Sequence, residues 1–359
     1  MKKTLLLMFI AIAINIKSQT LYTVDNSPSS GADFTDVQEA IDAANPGDTI
    51  FIHPSATPYG NFNISKVIHL RSLGHSPQYT QGMSAELGNI SLTATPGANG
   101  ITLSGLRFGQ LSVSNNNNTF NDLQITNCWF NKISGGTGAG TGTRDNWVIV
   151  GCVLLGNGFD LIRKTNGNGW LIVNNYLRNP DSNWSFNMFR NLNGTDTFRN
   201  NIIVTQQSLS GANNEIRLFE ECLNLNIENS IFLFMGVGVE HIYTGGNSVT
   251  YNNCLSFSYP GETITNLSGS NNLNNTDPSF VDIGSNPYFS TSKNFNIQAG
   301  SPASGHGTDG QDIGLFGNSY IYNMYGNAAE LPYISKMQIL NNVVAPSGTL
   351  NVHIEATGN

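Results

Sequence analysis

Charge is scarce in this chain: 16 Lys and Arg and 24 Asp and Glu make up only 11% of its 359 residues, where a typical soluble domain carries roughly 25%. So few cations, at a formal net charge of −8, argue against a nucleic-acid binder, whose affinity rests on basic residues neutralising phosphates. Cysteine is scarce too. Cys128, Cys152, Cys222 and Cys254 are too few to staple a chain of this size. With no CxxC pair and no HExxH helix there is no zinc signature. The composition lacks the Ala, Leu, Glu and Lys of a helical bundle or coiled coil. Disorder is excluded by 19 Phe, 12 Tyr and abundant Ile, Leu and Val, which give ample apolar surface to bury.

No hydrophobic run is long enough to span a bilayer, which takes about 20 residues. The longest candidate, residues 5–14, follows Lys2 and Lys3 and ends near Ile16-Lys17-Ser18-Gln19. A basic start, a short apolar stretch and a small residue at the break describe a secretory signal peptide over residues 1–18, cleaved before Gln19. The chain is therefore expected to be exported, to a secreted, periplasmic or cell-surface location, as a monomer. Loss of Lys2, Lys3 and Lys17 leaves 13 basic and 24 acidic residues, a net charge of −11.

What is abundant is glycine and asparagine: 38 and 50 residues, together about a quarter of the chain. Many asparagines fall in a recurring six-residue pattern: Ile125-Thr-Asn-Cys-Trp-Phe130, Ile149-Val-Gly-Cys-Val-Leu154, Ile172-Val-Asn-Asn-Tyr-Leu177, Phe198-Arg-Asn-Asn-Ile-Ile203, Ile227-Glu-Asn-Ser-Ile-Phe232 and Thr250-Tyr-Asn-Asn-Cys-Leu255. Leu103-Ser-Gly-Leu-Arg-Phe108 fits one step earlier. Steps of 22–29 residues with short β-type segments predict a solenoid. Asn and Gly suit its corners because both tolerate the left-handed conformation. A propeller blade needs about 40 residues and a leucine-rich repeat a stricter Leu pattern, so one coil of a three-sided parallel β-helix fits best.

Three features resemble the right-handed parallel β-helix proteins of pectate-lyase-like architecture. The first is the stretch 34–50, in which Phe34, Val37, Ala40, Ile41 and Ala44 mark one face of a short helix before Pro46-Gly47-Asp48 turns into a strand. In that family such a helix plugs the N-terminal end. The second is the Asn-Asn coil repeat. The third is Asp277-Pro-Ser-Phe-Val-Asp282 with Ser301-Pro-Ala303 and the stretch 310–317, similar to the family's closing coil. The resemblance implies an all-β right-handed parallel β-helix over residues 19–317 with an N-terminal capping helix. Beyond it, residues 318–359 alternate apolar and polar around Ala345-Pro-Ser-Gly348 and read as a β-hairpin extension that covers or flanks the last coil.

A second column runs between the Asn corners: Asp160-Leu-Ile-Arg163, Asn187-Met-Phe-Arg190, Asn214-Glu-Ile-Arg217 and Glu240-His-Ile-Tyr243, at steps of 27, 27 and 26. If Ile162, Phe189, Ile216 and Ile242 point inward, Arg163, Arg190 and Arg217 stack outward about 4.8 Å apart, and Leu161, Met188, Glu215 and His241 form a parallel outward column. Eight of the 13 basic residues left after cleavage lie between Lys132 and Arg217. One reading is a groove for an acidic, uronate-containing polysaccharide gripped by Arg163, Arg190, Arg217 and Tyr243. The family resemblance extends this to β-elimination by a polysaccharide lyase, with Arg190 or Arg217 as base, His241 or Tyr243 as alternative acid or base, and a calcium ion near Asp160, Glu215 and Glu240. A glycoside hydrolase needs two facing carboxylates and fits less well, since the column beside Asp160 is mostly amides. The other reading is a non-catalytic extracellular binding or scaffold module, its arginines paired with Asp160, Glu215 and Glu220.

Two further features admit two readings. Cys128 and Cys152 occupy equivalent places in consecutive coils, within disulfide reach or stacked reduced in the core. Trp147, Trp170 and Trp184 pack inside or present rings to sugars.

Overall fold

The computed structural model describes residues 19–359 apart from 79–81, 137, 157–159, 180–186, 206–214, 236–239, 246–247, 318–319, 321, 328–332, 341–347 and 358–359. The expected signal peptide and Trp184 thus lie outside the described residues.

The chain folds as a parallel β-helix. One sheet of 11 strands gathers one short strand from every coil, from Leu21–Val24 through Thr49–Ile52 and His69–Arg71 to Val249–Asn252 and Gly269–Ser270. Its inward column, Ile50, Leu70, Leu103, Ile125, Ile149, Ile172, Phe198, Ile227 and Tyr251, is in continuous parallel register and almost fully buried. The register confirms every repeat start but one. Tyr251, not Thr250, pairs with Ile227, so Asn253 rather than Asn252 takes the corner. Two more columns complete the coil: Val153–Leu155, Tyr176–Asn179, Ile202–Thr205, Ile231–Phe234 and Leu255–Ser258 on the second face, and Ile162–Arg163, Asn187–Arg190, Glu215–Glu220 and Glu240–Gly245 on the third. The longer strand Trp129–Ser134 joins them, pairing with the second face at its start and the third at its end.

The N-terminal end is closed by the helix Val37–Ala43. Asp36 caps it by accepting from the Glu39 N–H at 3.0 Å. Val37, Ala40 and Ile41 are buried, and the helix packs on Leu21–Val24, Thr49–Ile52 and Phe62–Ile64.

From Leu103 onward each turn from the first face to the second passes through one left-handed residue: Gly105, Asn127, Gly151, Asn174, Asn200, Asn229, Asn253 and Asn271, with φ between 50° and 67°. The next position points into the solenoid and links the coils. Asn175 Oδ1 accepts from the Cys152 N–H, Asn201 Oδ1 from the Asn175 N–H and Asn272 Oδ1 from the Cys254 N–H, all at 2.9–3.0 Å. Cys128, Cys152, Cys222 and Cys254 are free, buried thiols. Burial pushes Cys128, Cys222 and Cys254 up to about 12 and raises Cys152 as well. Trp147 and Trp170 are fully buried and stacked at 4.6 Å, their indole N–H groups donating to the Phe120 and Arg144 carbonyls. These two rings belong to the core and present nothing to a sugar.

Beyond residue 276 the chain stops coiling. Phe280–Asp282 pairs antiparallel with Asn294–Ile297 in a two-stranded sheet of its own, so this stretch adds no closing coil. The chain then returns along the Asn corners in reverse order. Asn253 Nδ2 donates to the His306 carbonyl, Asn229 exchanges bonds with Thr308, Asn174 Nδ2 donates to the Leu315 carbonyl, and Asn127 accepts from the Tyr320 hydroxyl and donates to the Asn327 carbonyl. This strap covers the outer side of the second face. There Val153, Tyr176, Ile202, Val204, Ile231, Leu233 and Leu255 meet Phe280, Ile283, Phe295, Ala303, Ile313, Leu315 and Tyr322 in a second core. Gly151, the one corner in that run without asparagine, lies under the strap: a Cβ there would come within 2.4 Å of the Tyr320 hydroxyl. The C-terminal hairpin pairs Tyr333–Ile339 with Val352–Thr357, as the alternation predicted.

Two outcomes follow from this architecture. Asn229→Ala removes two bonds to the strap, at about 0.5–1.5 kcal/mol each, and places alanine at φ 50°, at about 1–2 kcal/mol. Asn229→Gly loses only the bonds, so chemical denaturation should rank wild type above glycine above alanine. Thiols held at about 12 are protonated at mildly alkaline pH. A thiol-reactive dye should therefore label none of the four cysteines in native protein and all of them after denaturation.

Candidate functional site

The charged face was legible in sequence, but its register was not. Arg163 and Arg190 do sit side by side on adjacent rungs. The next rung beyond Arg190 carries Glu220, while Arg217 pairs with Asn187 and so falls in the column of Asp160. The step from Asn187 is thus three residues longer than the sequence pattern suggested, and Arg217 does not continue the stack. The physical reason is charge. A third guanidinium beside Arg190 would repel it, whereas Glu220 attracts it. Leu161 and Met188, expected outside, are buried in the main core beside Ile162 and Phe189. The strand is only Ile162–Arg163, and left-handed Asp160 (φ 53°) turns the chain just before it, so strand alternation does not extend back to Leu161.

Asp160 organises the cluster. Its Oδ2 lies 3.5 Å from Arg163 Nη1 and its Oδ1 3.3 Å from Arg190 Nε. The carboxylate side chain is 6% exposed, and those of Arg163 and Arg190 are 25% and 24% exposed. Lys132 comes from the preceding coil. Burial holds its ammonium below the usual lysine range, Asp160 partly restores it, and Arg163 and Arg190 push it down again. Lys132, Asp160, Arg163 and Arg190 therefore form one electrostatic unit, and Lys132 is the member that the sequence pattern did not single out. Its signal lay in the strand Trp129–Ser134, whose end pairs with Ile162 and Arg163.

The other basic residues of that stretch are spent elsewhere. Arg144 is fully buried and donates to the carbonyls of Gly135, Asn118 and Thr143. Lys164 is buried on Asp196 at 2.5 Å. Arg178 stacks on Tyr288 at 3.7 Å, and Arg199 belongs to the first face.

Of the remaining candidates, Glu215 and Glu240 are partners on adjacent strands, and so are Arg217 and Tyr243. The side chains of Glu215, Arg217, Glu240, His241 and Tyr243 lie outside the described residues, as does Asn214. Calcium does not suit Asp160 as placed, because both its oxygens face guanidinium groups. Among the described residues no three His, Cys, Asp or Glu side chains gather as metal ligands. No helix among them is long and apolar enough to cross a membrane.

No protein-family model and no curated protein matches this chain. Among solved structures it is similar to the pectate lyase Pel9A, at 13% identity and a TM-score of 0.38 over 83% of this chain and 96% of that one. It is also similar to a pectin methylesterase in complex with hexasaccharide VII, at 13% identity and a TM-score of 0.33 over 71% of this chain and 93% of that one. Neither likeness assigns a role to any residue here.

The shared carboxylate can be tested directly. Asp160→Asn keeps a residue suited to φ 53° but leaves two guanidiniums facing each other. It should destabilise the fold by about 1–2 kcal/mol at low salt and by less at high salt. The loss should shrink in an Arg190→Gln background. Equal losses in both backgrounds would mean that the two arginines do not share Asp160 energetically.

Proposed function

We propose that this chain is an exported β-helix protein that binds acidic, uronate-containing polysaccharide on its third face and does not cleave it. The observation that carries the reading is the pair Arg163 and Arg190, a quarter exposed on adjacent rungs with Lys132 beside them, Asp160 between them and Glu220 on the next rung. Guanidiniums spaced by one rung, about 4.8 Å, present a repeating row of donors to a polymer with repeating carboxylates. The same pairing speaks against Arg190 as the base of an elimination, because its Nε is turned to the Asp160 carboxylate. In this reading residues 1–18 are the export signal, residues 19–317 hold the cap, the coils and most of the returning strap, residues 318–359 are an extension, and the protein acts as a monomer. The reading to be distinguished is a scaffold whose arginines serve only to neutralise Asp160 and Glu220.

Polygalacturonate is the probe. Affinity electrophoresis at low salt should show retardation that fades as salt rises, with calcium or with chelator alike. Arg163→Gln with Arg190→Gln should weaken binding about tenfold or more. The ultraviolet absorbance of unsaturated uronate products should stay flat. A rise in that absorbance would establish a lyase, and absence of binding to every acidic glycan would leave the scaffold reading.

A further inference from the structure

A cleft of about 330 Å³ opens at the seam between the early coils and the returning strap, lined in part by His75, Ser76, Ser84, Arg107, Thr291 and Tyr325. We propose that it is a binding site for a single small carboxylate of uronic-acid size, separate from the third face. His75 supplies the first argument. Its ring is fully buried, Nδ1 meets the Ser76 hydroxyl at 3.0 Å, and Nε2 has no hydrogen-bond partner. A buried polar atom left unpaired costs about 1–3 kcal/mol, which a ligand acceptor at the seam would offset. The ring is held edge-on by Trp129 at 5.7 Å and Phe289 at 6.2 Å. Burial, with Arg107 nearby, lowers the imidazole to about 3, so the ring is neutral near pH 7, and its Nε2 donates in the tautomer whose Nδ1 accepts from the Ser76 hydroxyl.

Arg107 supplies the charge. Its guanidinium lies over the Trp129 ring at 4.8 Å, and among the described residues no carboxylate lies within ion-pair distance of it. Its rung neighbour Glu86 is exposed and does not pair with it. One cation suits one negative charge, and the hydroxyls of Ser84, Thr291 and Tyr325 suit a polyhydroxylated body. The volume sits at the lower end of small-molecule sites, roughly 300–1,000 Å³. Docking of the strap completes the site: the Ser76 N–H donates to the Tyr325 carbonyl at 3.0 Å, and Thr291 and Tyr325 form the far wall.

The test is calorimetric titration of the folded chain with galacturonic acid, galactose and inorganic phosphate, paired with the ¹⁵N resonance of the His75 ring. Galacturonic acid should bind saturably and more weakly as salt rises, at least about tenfold tighter than galactose or phosphate, and should shift the His75 Nε2 signal. Arg107→Gln should lose about tenfold or more. Thr291→Trp, which fills the cleft from the strap side and leaves the Arg107–Trp129 stack intact, should do the same. Arg163→Gln with Arg190→Gln should leave this binding unchanged, so failure of the third-face reading would not touch it. The proposal is overturned by no binding, by galactose or phosphate binding as tightly, by an unmoved His75 signal, or by wild-type affinity in Thr291→Trp.

Discussion

One backbone constraint organises this protein: from Leu103 onward, every coil turns from its first face to its second through a single residue at positive φ. L-residues reach that conformation at a cost of about 1–2 kcal/mol, and asparagine and glycine reach it most readily. From Gly105 to Asn271 the corner is always one or the other. Fixing the corner fixes which neighbour points inward, so Asn175, Asn201 and Asn272 can join successive coils through side-chain bonds. The apolar column from Ile50 to Tyr251 then stacks in register. An asparagine also has a side chain to spare at that corner. Those side chains hold the strap, and the strap in turn encloses a second core.

Burial of the second face on both sides explains its composition. Ile202–Thr205 and Ile231–Phe234 are buried at every position, as strands packed on two sides are. The strap satisfies polar groups as well. The Tyr176 hydroxyl, deep in this layer, donates to the Pro287 carbonyl at 2.6 Å. Arg178 stacks on the Tyr288 ring, a contact that tolerates partial desolvation. The third face solves its electrostatic problem differently, with one carboxylate set between two guanidiniums and a second one rung further on.

What could be read in sequence was what repeats locally. The cap helix, the inward column and the corner asparagines all carry short-range patterns, and the structure has them where the residues indicated. The last repeat slipped by one because Tyr251 and its neighbour Thr250 both fit an apolar-polar template, and only pairing with Ile227 separates them. The third-face register slipped by three because the connections between its strands vary in length. Ile216 and Phe219 are equally good inward candidates by pattern, and the charge of Glu220 beside Arg190 was the overlooked discriminator. The strap was not legible at all. Its contacts join residues up to 200 positions apart, and its loop-like sequence reads as one more coil until its partners are known.

The strap's own register follows from the unevenness of the corners. Were all of them asparagine, sliding the strap by one coil would exchange one set of amide bonds for another. Gly151 breaks that equivalence. Tyr320 lies over it, with its hydroxyl reaching Asn127 at 2.9 Å. Any Cβ at position 151 would displace the ring, and a slip by one coil would set the same ring against the side chain of Asn127 or Asn174. A single small residue in an otherwise repetitive column therefore selects one docking position from several similar ones. Everything C-terminal to Tyr320 on the seam inherits that choice. The Tyr325 carbonyl meets the Ser76 N–H, Gly326 packs against the His75 ring without room for a side chain, and the cleft beside Arg107 takes its outer wall from the same segment.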